Sequence, residues 1–391
     1  LASGHPWIFS SDVTDRGDAQ PGDAVRVELD TRSGQRSGQT AAKSSGKLLG
    51  FAHYSSTSQI TLRMLSTPTQ PTHTTPGDRA FFLERLRAAI EHRQRIVRDS
   101  DAYRLVFSEA DLLPGLIIDR YGPYLVLQTL NQGMDRSRGA IVDCLQELLA
   151  PAGILARNDA SVRKLEALPL ETAVLSGEIP DHISIQMNGL ALTADLKRGQ
   201  KTGVYLDQRE NYVAAAKYAH GRVLDCFTST GGFALHAARN PEVESVEAID
   251  SSELALATAQ QNADNNGISN INFRQADVFE YLSGLDRRFS TIVLDPPAFA
   301  KSRKSLDDAA RGYKDINYRA LRMLDSGGIL VTCSCSHHMS EAALFEVIAE
   351  AALDAGKTLR VLERRAQSQD HPILLTVPET LYLKCLVLQV V

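Results

Sequence analysis

The stretch Asp225-Cys-Phe-Thr-Ser-Thr-Gly231-Gly232-Phe233 follows the apolar pair Val223-Leu224 and runs into alanine-rich sequence. It reads as a strand, Arg222–Cys226, that closes into a glycine turn and reopens as a helix over Phe233–Ala238. Paired glycines let the backbone approach a ligand closely, and the helix start offers unpaired N–H groups. The same alternation continues outward. Strand Val243–Asp250, helix Glu253–Asn265 and strands Ile271–Arg274 and Thr291–Leu294 come first. Helix Tyr313–Leu324, strand Gly328–Cys333, helix Glu341–Ala355, strand Thr358–Arg364 and a terminal strand Leu381–Val390 complete it. The pattern predicts a doubly wound sheet with a last antiparallel strand and ligand loops at the carboxyl ends of its strands.

The glycine spacing does not match G-x-G-x-x-G, the tight N–H nest that a dinucleotide diphosphate requires. Asp250, at the end of the next strand, is suited to accept both hydroxyls of a ribose. S-adenosylmethionine has no phosphate, and its sulfonium favours carboxylate and carbonyl groups. It is therefore the expected cofactor, held by the turn residues Phe227, Thr230 and Gly231. Asp225 would meet the methionine ammonium, Arg209 its carboxylate, and Asp277, after the third strand, the adenine amino group. A helix-cap role for Asp277 and a surface role for Arg209 are the plain alternatives.

Two further motifs carry the chemistry. Asp295-Pro296-Pro297 ends a strand, and its prolines stiffen the turn that presents the carboxylate. About forty residues on, Thr332-Cys-Ser-Cys335-Ser336 ends another. A carboxylate beside a soft nucleophile suits methylation of pyrimidine carbon 5. A thiolate adding at carbon 6 makes carbon 5 nucleophilic, and the cysteine is later expelled. Cys335 is the preferred nucleophile because it lies beyond the buried strand. Cys333 competes, with core packing as its expected role. Asp295 suits the N3 and N4 edge of a cytosine.

Composition limits the classes. The chain has 391 residues, 43% of them apolar, and a formal net charge of −5, so several domains are expected and indiscriminate coating of nucleic acid is not. No apolar run reaches the roughly 18 residues that span a bilayer, and no secretion signal is recognisable. Five cysteines without framework spacing suit a reducing, cytoplasmic location. Cys333-Ser-Cys335 is too close for a usual zinc pair, so no metal is expected. Two basic sets stand out. Lys301, Arg303, Lys304, Arg311, Lys314, Arg319 and Arg322 are expected to meet phosphate, whereas Arg85, Arg87, Arg93, Arg95 and Arg98 read more simply as a solvated face.

Upstream, strand-like pieces Ala24–Leu29, Lys47–Tyr54 and Gln59–Met64 suggest a small β-barrel, with a loop over Thr31–Gly46 and a linker over Thr67–Gly77. A helix from Arg79 to about Ser100 and a second from about Arg136 to Leu149 accompany short strands in a middle α+β unit. The expected division is 1–70, 78–183 and 184–391.

These motifs resemble the RlmI-type bacterial 23S rRNA cytosine-C5 methyltransferase family. The likeness runs from Gly4-His5-Pro6-Trp7-Ile8-Phe9 through TGVYLDQREN at 202–211, DCFTSTGGFA at 225–234 and DPPAFAKS at 295–302. ARGYKDIN at 310–317, SCSHH at 334–338 and DHP at 370–372 extend it to Tyr382-Leu383-Lys384. The resemblance implies an N-terminal PUA-like barrel, a central EEHEE-like α+β domain and a C-terminal Rossmann-like class I methyltransferase domain. It assigns the nucleophile to Cys335 and places Asp225, Asp250, Asp277 and Asp295 at the cofactor and target pocket. It further implies 23S rRNA or a large-subunit assembly intermediate as partner, and a homodimer by analogy alone. Ala298 departs from the basic residue often found after the diproline, and the serine-rich 33–46 stretch is longer than the family minimum.

Rival readings are a uridine-C5 RNA methyltransferase and a non-catalytic RNA-binding ribosome assembly factor. An adenine-N6 enzyme would have no use for Cys335, and a nicotinamide oxidoreductase would leave both the diproline and the cysteine motif without a role.

Overall fold

The computed structural model describes residues 4–30, 46–199, 202–283, 288–299, 306–336 and 338–391. Nearly all of the expected Thr31–Gly46 loop, together with Lys301, Arg303, Lys304 and His337, lies outside the described residues.

Strands β1 (Trp7–Phe9), β2 (Ala24–Leu29), β3 (Lys47–Tyr54) and β4 (Ile60–Ser66) form an antiparallel sheet in the order β1-β4-β3-β2. Val27, Ala52, Tyr54, Leu62 and Met64 make its core. The opening GHPWIF motif ties this sheet to distant chain. Trp7 Nε1 donates to Glu109 at 2.8 Å, and His5 Nε2 lies 3.1 Å from Glu379.

Helix α1 (Arg79–Ile96) starts at Asp78, whose side chain accepts from the Phe81 N–H. Its apolar stripe buries Phe82, Leu86, Ala89 and Ile90 against a five-stranded sheet. That sheet runs β5-β6-β7-β8-β9, from β5 (Ala102–Phe107), β6 (Leu116–Tyr121) and β7 (Tyr124–Thr129), through helices α2 (Gln132–Arg136) and α3 (Arg138–Leu149), to β8 (Gly153–Asn158) and β9 (Glu171–Gly177). The expected helix from about Arg136 to Leu149 is α3, and the short α2 precedes it across Ser137. Arg93 corrects the reading of its basic set as a solvated face. It continues the inward stripe of α1, is fully buried, and donates to Asp111, to the Arg104 carbonyl at 3.0 Å and to the Asp370 carbonyl at 2.9 Å.

A hairpin follows, β10 (Ile183–Met187) and β11 (Leu190–Ala194), turning at Asn188-Gly189, both at positive φ. The rest builds the large sheet. In chain order come α4 (Arg209–Tyr218), β12 (Gly221–Cys226), α5 (Gly232–Ala238), β13 (Val243–Asp250), α6 (Glu253–Asn265), β14 (Ile271–Gln275), α7 (Val278–Ser283) and β15 (Phe289–Leu294). Next are α8 (Leu306–Arg322), β16 (Leu324–Ser334), α9 (Glu341–Asp354), β17 (Leu359–Arg365) and β18 (Lys384–Val390). Among the described residues this is a seven-stranded Rossmann-like mixed sheet, β14-β13-β12-β15-β16-β18-β17, with β18 antiparallel to both neighbours. Helix α8 begins earlier than expected, because Asp307 and Asp308 in its first turn favour the positive end of the helix dipole.

Register aligns the loops that matter. Cys226 pairs with Ile249 on one side and Leu294 on the other, and Leu294 pairs with Thr332. Asp250, Phe227, Asp295 and the Cys333–Ser336 segment therefore leave the sheet side by side, at the crevice expected for a ligand. No helix among the described residues is long and apolar enough to cross a membrane.

Candidate active site

The turn after β12 is held by its own residues. Asp225 Oδ2 accepts from Thr228 Oγ1 at 2.6 Å and from the Ala234 N–H at 2.9 Å. Phe227, Ser229 and Gly231 all have φ between 49° and 88°, the left-handed region that a side chain enters only under constraint. Gly232 is required by space, since a Cβ there would lie 2.4 Å from the Tyr212 ring. The Thr230 carbonyl accepts from Asn262 of α6 at 3.1 Å, and Asn262 also accepts from Thr193 of the β10–β11 hairpin at 2.8 Å.

Asp225 is buried, and its Oδ1 has no hydrogen-bond partner among the described residues. Burial pushes its carboxyl up to about 7, against the Thr228 and Ala234 hydrogen bonds and with help from the like charges of Asp295 and Asp250. A buried carboxylate oxygen in this condition fits an ammonium group. Asp250 accepts from Ser229 N–H and Ser252 N–H, each at 2.9 Å, which fixes its carboxylate at the strand end with lone pairs still available for hydroxyls. Asp277 is exposed and caps α7, its Oδ1 accepting from the Glu280 N–H at 3.0 Å. Arg209 lies apart from this turn's hydrogen bonds. It is buried at the start of α4 and pairs with Asp370 and Glu210, each at 3.2 Å.

Asp295 is half-buried and accepts from Gln208 Nε2 at 3.0 Å. Gln208 is itself held by Asn211, which in turn accepts from Arg365 at 2.9 Å. On the next strand, Ser334 Oγ donates to Tyr313 Oη at 2.9 Å, and Tyr313 Oη lies 3.0 Å from Ser336 Oγ. Alternate residues of an extended segment face opposite ways. Pinning Ser334 and Ser336 to buried Tyr313 of α8 therefore turns Cys335 to the other face. Cys335 is the one cysteine of the five that is not buried. Asp295 and Cys335 are both near enough to act electrostatically on Tyr205 and Tyr313.

Cys333 stands opposite Cys385 in the sheet, and both are fully buried. Burial and then the neighbouring Cys385 hold the Cys333 thiol well above its ordinary value, which makes it a poor thiolate source. Of the basic residues beyond the diproline, Arg311 pairs with Asp308, Lys314 with Glu350 and Asp354, and Arg319 with Asp315. Such exposed pairs contribute little and are readily exchanged for another anion.

Sequence reasoning passed over Gln208, Tyr313 and Lys384. All three lay inside quoted motifs without a role, and their partners are distant in sequence.

Residues 217–373 match a family model described as a methyltransferase domain. Over nearly the whole length, the chain is 41% identical to ribosomal RNA large subunit methyltransferase I of Aeromonas hydrophila, covering 98% of this chain and 95% of that protein. It is 40% identical to the protein of the same name from Shewanella amazonensis, covering 99% and 95%. The chain belongs to the ribosomal RNA large subunit methyltransferase I family. A solved methyltransferase complexed with S-adenosylhomocysteine shares the fold at 19% identity, with a TM-score of 0.81 over 99% of this chain and 96% of that one. Membership covers the N-terminal sheet and the five-stranded sheet as well as the catalytic one, so all three belong to the family's common design.

Proposed function

We propose that this chain methylates carbon 5 of a cytosine in 23S rRNA through a covalent adduct on Cys335. The observation that carries the reading is the placing of Cys335. It is turned away from Tyr313 at the end of β16, next to the strand end that presents Asp295. The cofactor is S-adenosylmethionine, which supplies a sulfonium-borne methyl group when bound. In this reading the open Oδ1 of Asp225 would receive its ammonium and Asp250 its ribose, and the Phe227–Gly231 turn would help to hold it. Asp277 approaches the adenine from the α7 cap. Arg209 acts through its partners, as a support for the α4 start rather than as a direct ligand.

The target base leaves its stack to enter the crevice. Asp295, steadied by Gln208, accepts from the cytosine N4 amino group and from protonated N3, a donor pair that uracil lacks. The Cys335 thiolate forms a bond to carbon 6, and the displaced electron pair makes carbon 5 a nucleophile. Carbon 5 takes the methyl group while the sulfonium electron pair returns to sulfur. A base then removes the carbon-5 proton, the carbon–sulfur bond breaks, and the thiolate is regenerated.

The division 1–70, 78–183 and 184–391 belongs to this reading. A PUA-like domain and a central α+β domain grip a cytoplasmic rRNA or large-subunit intermediate mainly by shape and phosphate. The test is methyl transfer from labelled cofactor to 23S rRNA lacking its native modifications, followed by nucleoside identification. Label should appear in 5-methylcytidine and fall by about a thousandfold or more with Cys335→Ala. Label in methyluridine would overturn the base assignment, and an undiminished mutant would overturn the nucleophile. No transfer to naked RNA or to immature subunits would favour a non-catalytic assembly role.

A further inference from the structure

We propose that Lys384 is a positioning residue for the nucleophile, its buried ammonium holding Cys335 as a thiolate and aimed into the crevice. Lys384 opens β18 directly opposite Ser334 and is 6% exposed. Its Nζ donates to the carbonyl of Ser336, the residue after Cys335, at 2.8 Å and to the carbonyl of Tyr382 at 2.9 Å. Two of three ammonium hydrogens are thereby spent on neutral acceptors, and one is left for the sulfur.

The charge balance makes the case. Among the described residues no carboxylate lies within ion-pair distance of Lys384, although a buried cation without a partner is costly. The nearby anionic groups that act on it are Cys335 first and then Glu341 at the start of α9. Burial pulls the Lys384 ammonium down to about 8 against those two, so the cation is present at neutral pH and is lost just above it. Tyr205 ahead of α4 and Tyr313 of α8 also lie within electrostatic reach of Cys335, together with Asp295 of the β15 end, and His338 follows on its own segment. None of the three from neighbouring elements is a cation. Lys384 is a positive group that the fold brings to the thiol from another element.

This inference rests on Cys335 as the nucleophile, but its test uses neither RNA nor cofactor. Iodoacetamide forms a sulfur–carbon bond with the thiolate and releases iodide, and mass spectrometry of the Cys335 peptide gives the rate. Cys335→Ala sets the background, since the other four cysteines are buried. Wild type should alkylate with a midpoint below the ordinary thiol value of about 8.5. Lys384→Gln keeps a hydrogen-bond donor without the charge, and should be about tenfold slower at neutral pH, its midpoint raised by about one unit. Lys384→Arg restores a cation and should restore the wild-type profile. A wild-type midpoint at or above the ordinary value would overturn the proposal without any variant. So would a Lys384→Gln profile that superimposes on wild type, or an arginine variant as slow as the glutamine one. A moved alkylation profile together with undiminished methyl transfer by Cys335→Ala would overturn Cys335 as the nucleophile and the positioning role with it, and leave only the charge coupling of Lys384 to this thiol.

Discussion

The two sides of the crevice are built in different ways. The turn proposed for the cofactor is made by neighbours, for Thr228 and Ala234 both donate to Asp225 within ten residues of chain. The side proposed for the nucleophile is made by distant chain. Gln208 reaches Asp295 across 87 positions, Lys384 reaches Ser336 across 48, and Tyr313 reaches Ser334 across 21. A local turn can form wherever its sequence goes. The nucleophile side exists only once the sheet has closed and the segment between β17 and β18 has docked. Its integrity is thus coupled to tertiary stability throughout, whereas the turn takes its inner bonds from its own sequence and only its outer ones from Asp250 and Asn262.

Asp370 is the place to break that coupling. It lies between β17 and β18 and is fully buried. It accepts from Arg209 at 3.2 Å and from the Arg104 N–H at 2.8 Å, while its carbonyl receives Arg93. Burial alone would raise its carboxyl, yet His371, Arg209 and the Arg104 N–H hold it well below the usual carboxylate range. Asp370→Asn removes the charge and leaves Arg209 buried beside it. The expected loss is about 3–5 kcal/mol, read as a fall in the urea midpoint. The sign with pH follows from the depressed value. The stabilisation is complete above the unfolded carboxyl value of about 4 and fades as pH falls towards the folded one. The gap between wild type and variant should therefore narrow on acidification below that point. An unchanged midpoint would show that the docking segment does not depend on this carboxylate.

The same contrast explains what could be read from the sequence. The α/β alternation and the turn at 225–233 were legible because strand period, glycine pair and helix start are all local signals. The strand-end positions of Asp250 and Asp295 were legible because each closes a recognisable strand and is followed by a helix start or a diproline turn. Arg93 misled because its neighbours in sequence are basic, whereas its neighbours in space are the inward stripe of α1 and the Asp370 carbonyl. Arg209 was read as a partner for the methionine carboxylate, and nothing local announced its pairing with Asp370, 161 positions away. Lys384 and Tyr313 stayed silent for the same reason. A lysine at the edge of a strand and a tyrosine in a helix gain meaning only from the backbone that β16 brings to them.

Gln208 tests the nucleophile side more gently. Gln208→Leu keeps much of the volume but removes the donor to Asp295 and the acceptor for Asn211. A hydrogen bond to a charged group contributes about 1.5–3 kcal/mol, so kcat should fall by roughly 10- to 100-fold. Cofactor affinity should hold within about twofold if the two sides are as separate as their hydrogen bonds imply. An equal loss in both would mean that the α4 start serves the turn as well, through Tyr212 against Gly232.

The cofactor turn carries its own signature in pH. Asp225 is pushed up to about 7 by burial, so below that value the folded protein holds a proton on the carboxyl proposed for the ammonium. Binding must release this proton, and a released proton makes affinity rise with pH. The dissociation constant should fall by about tenfold per unit between roughly pH 5.5 and 7 and level off above, as followed by calorimetric titration of the cofactor. In apoprotein the sign reverses. A raised folded value means that stability declines as pH rises from about 4 to 7, because the unfolded carboxyl ionises freely and the buried one does not. Asp225→Asn has no such proton to lose, and should bind more weakly at pH 7 with a flat profile below it. A wild-type profile already flat over this range would mean that Oδ1 is not where the ammonium sits. The self-contained turn would then shape the pocket wall while another group takes the charge.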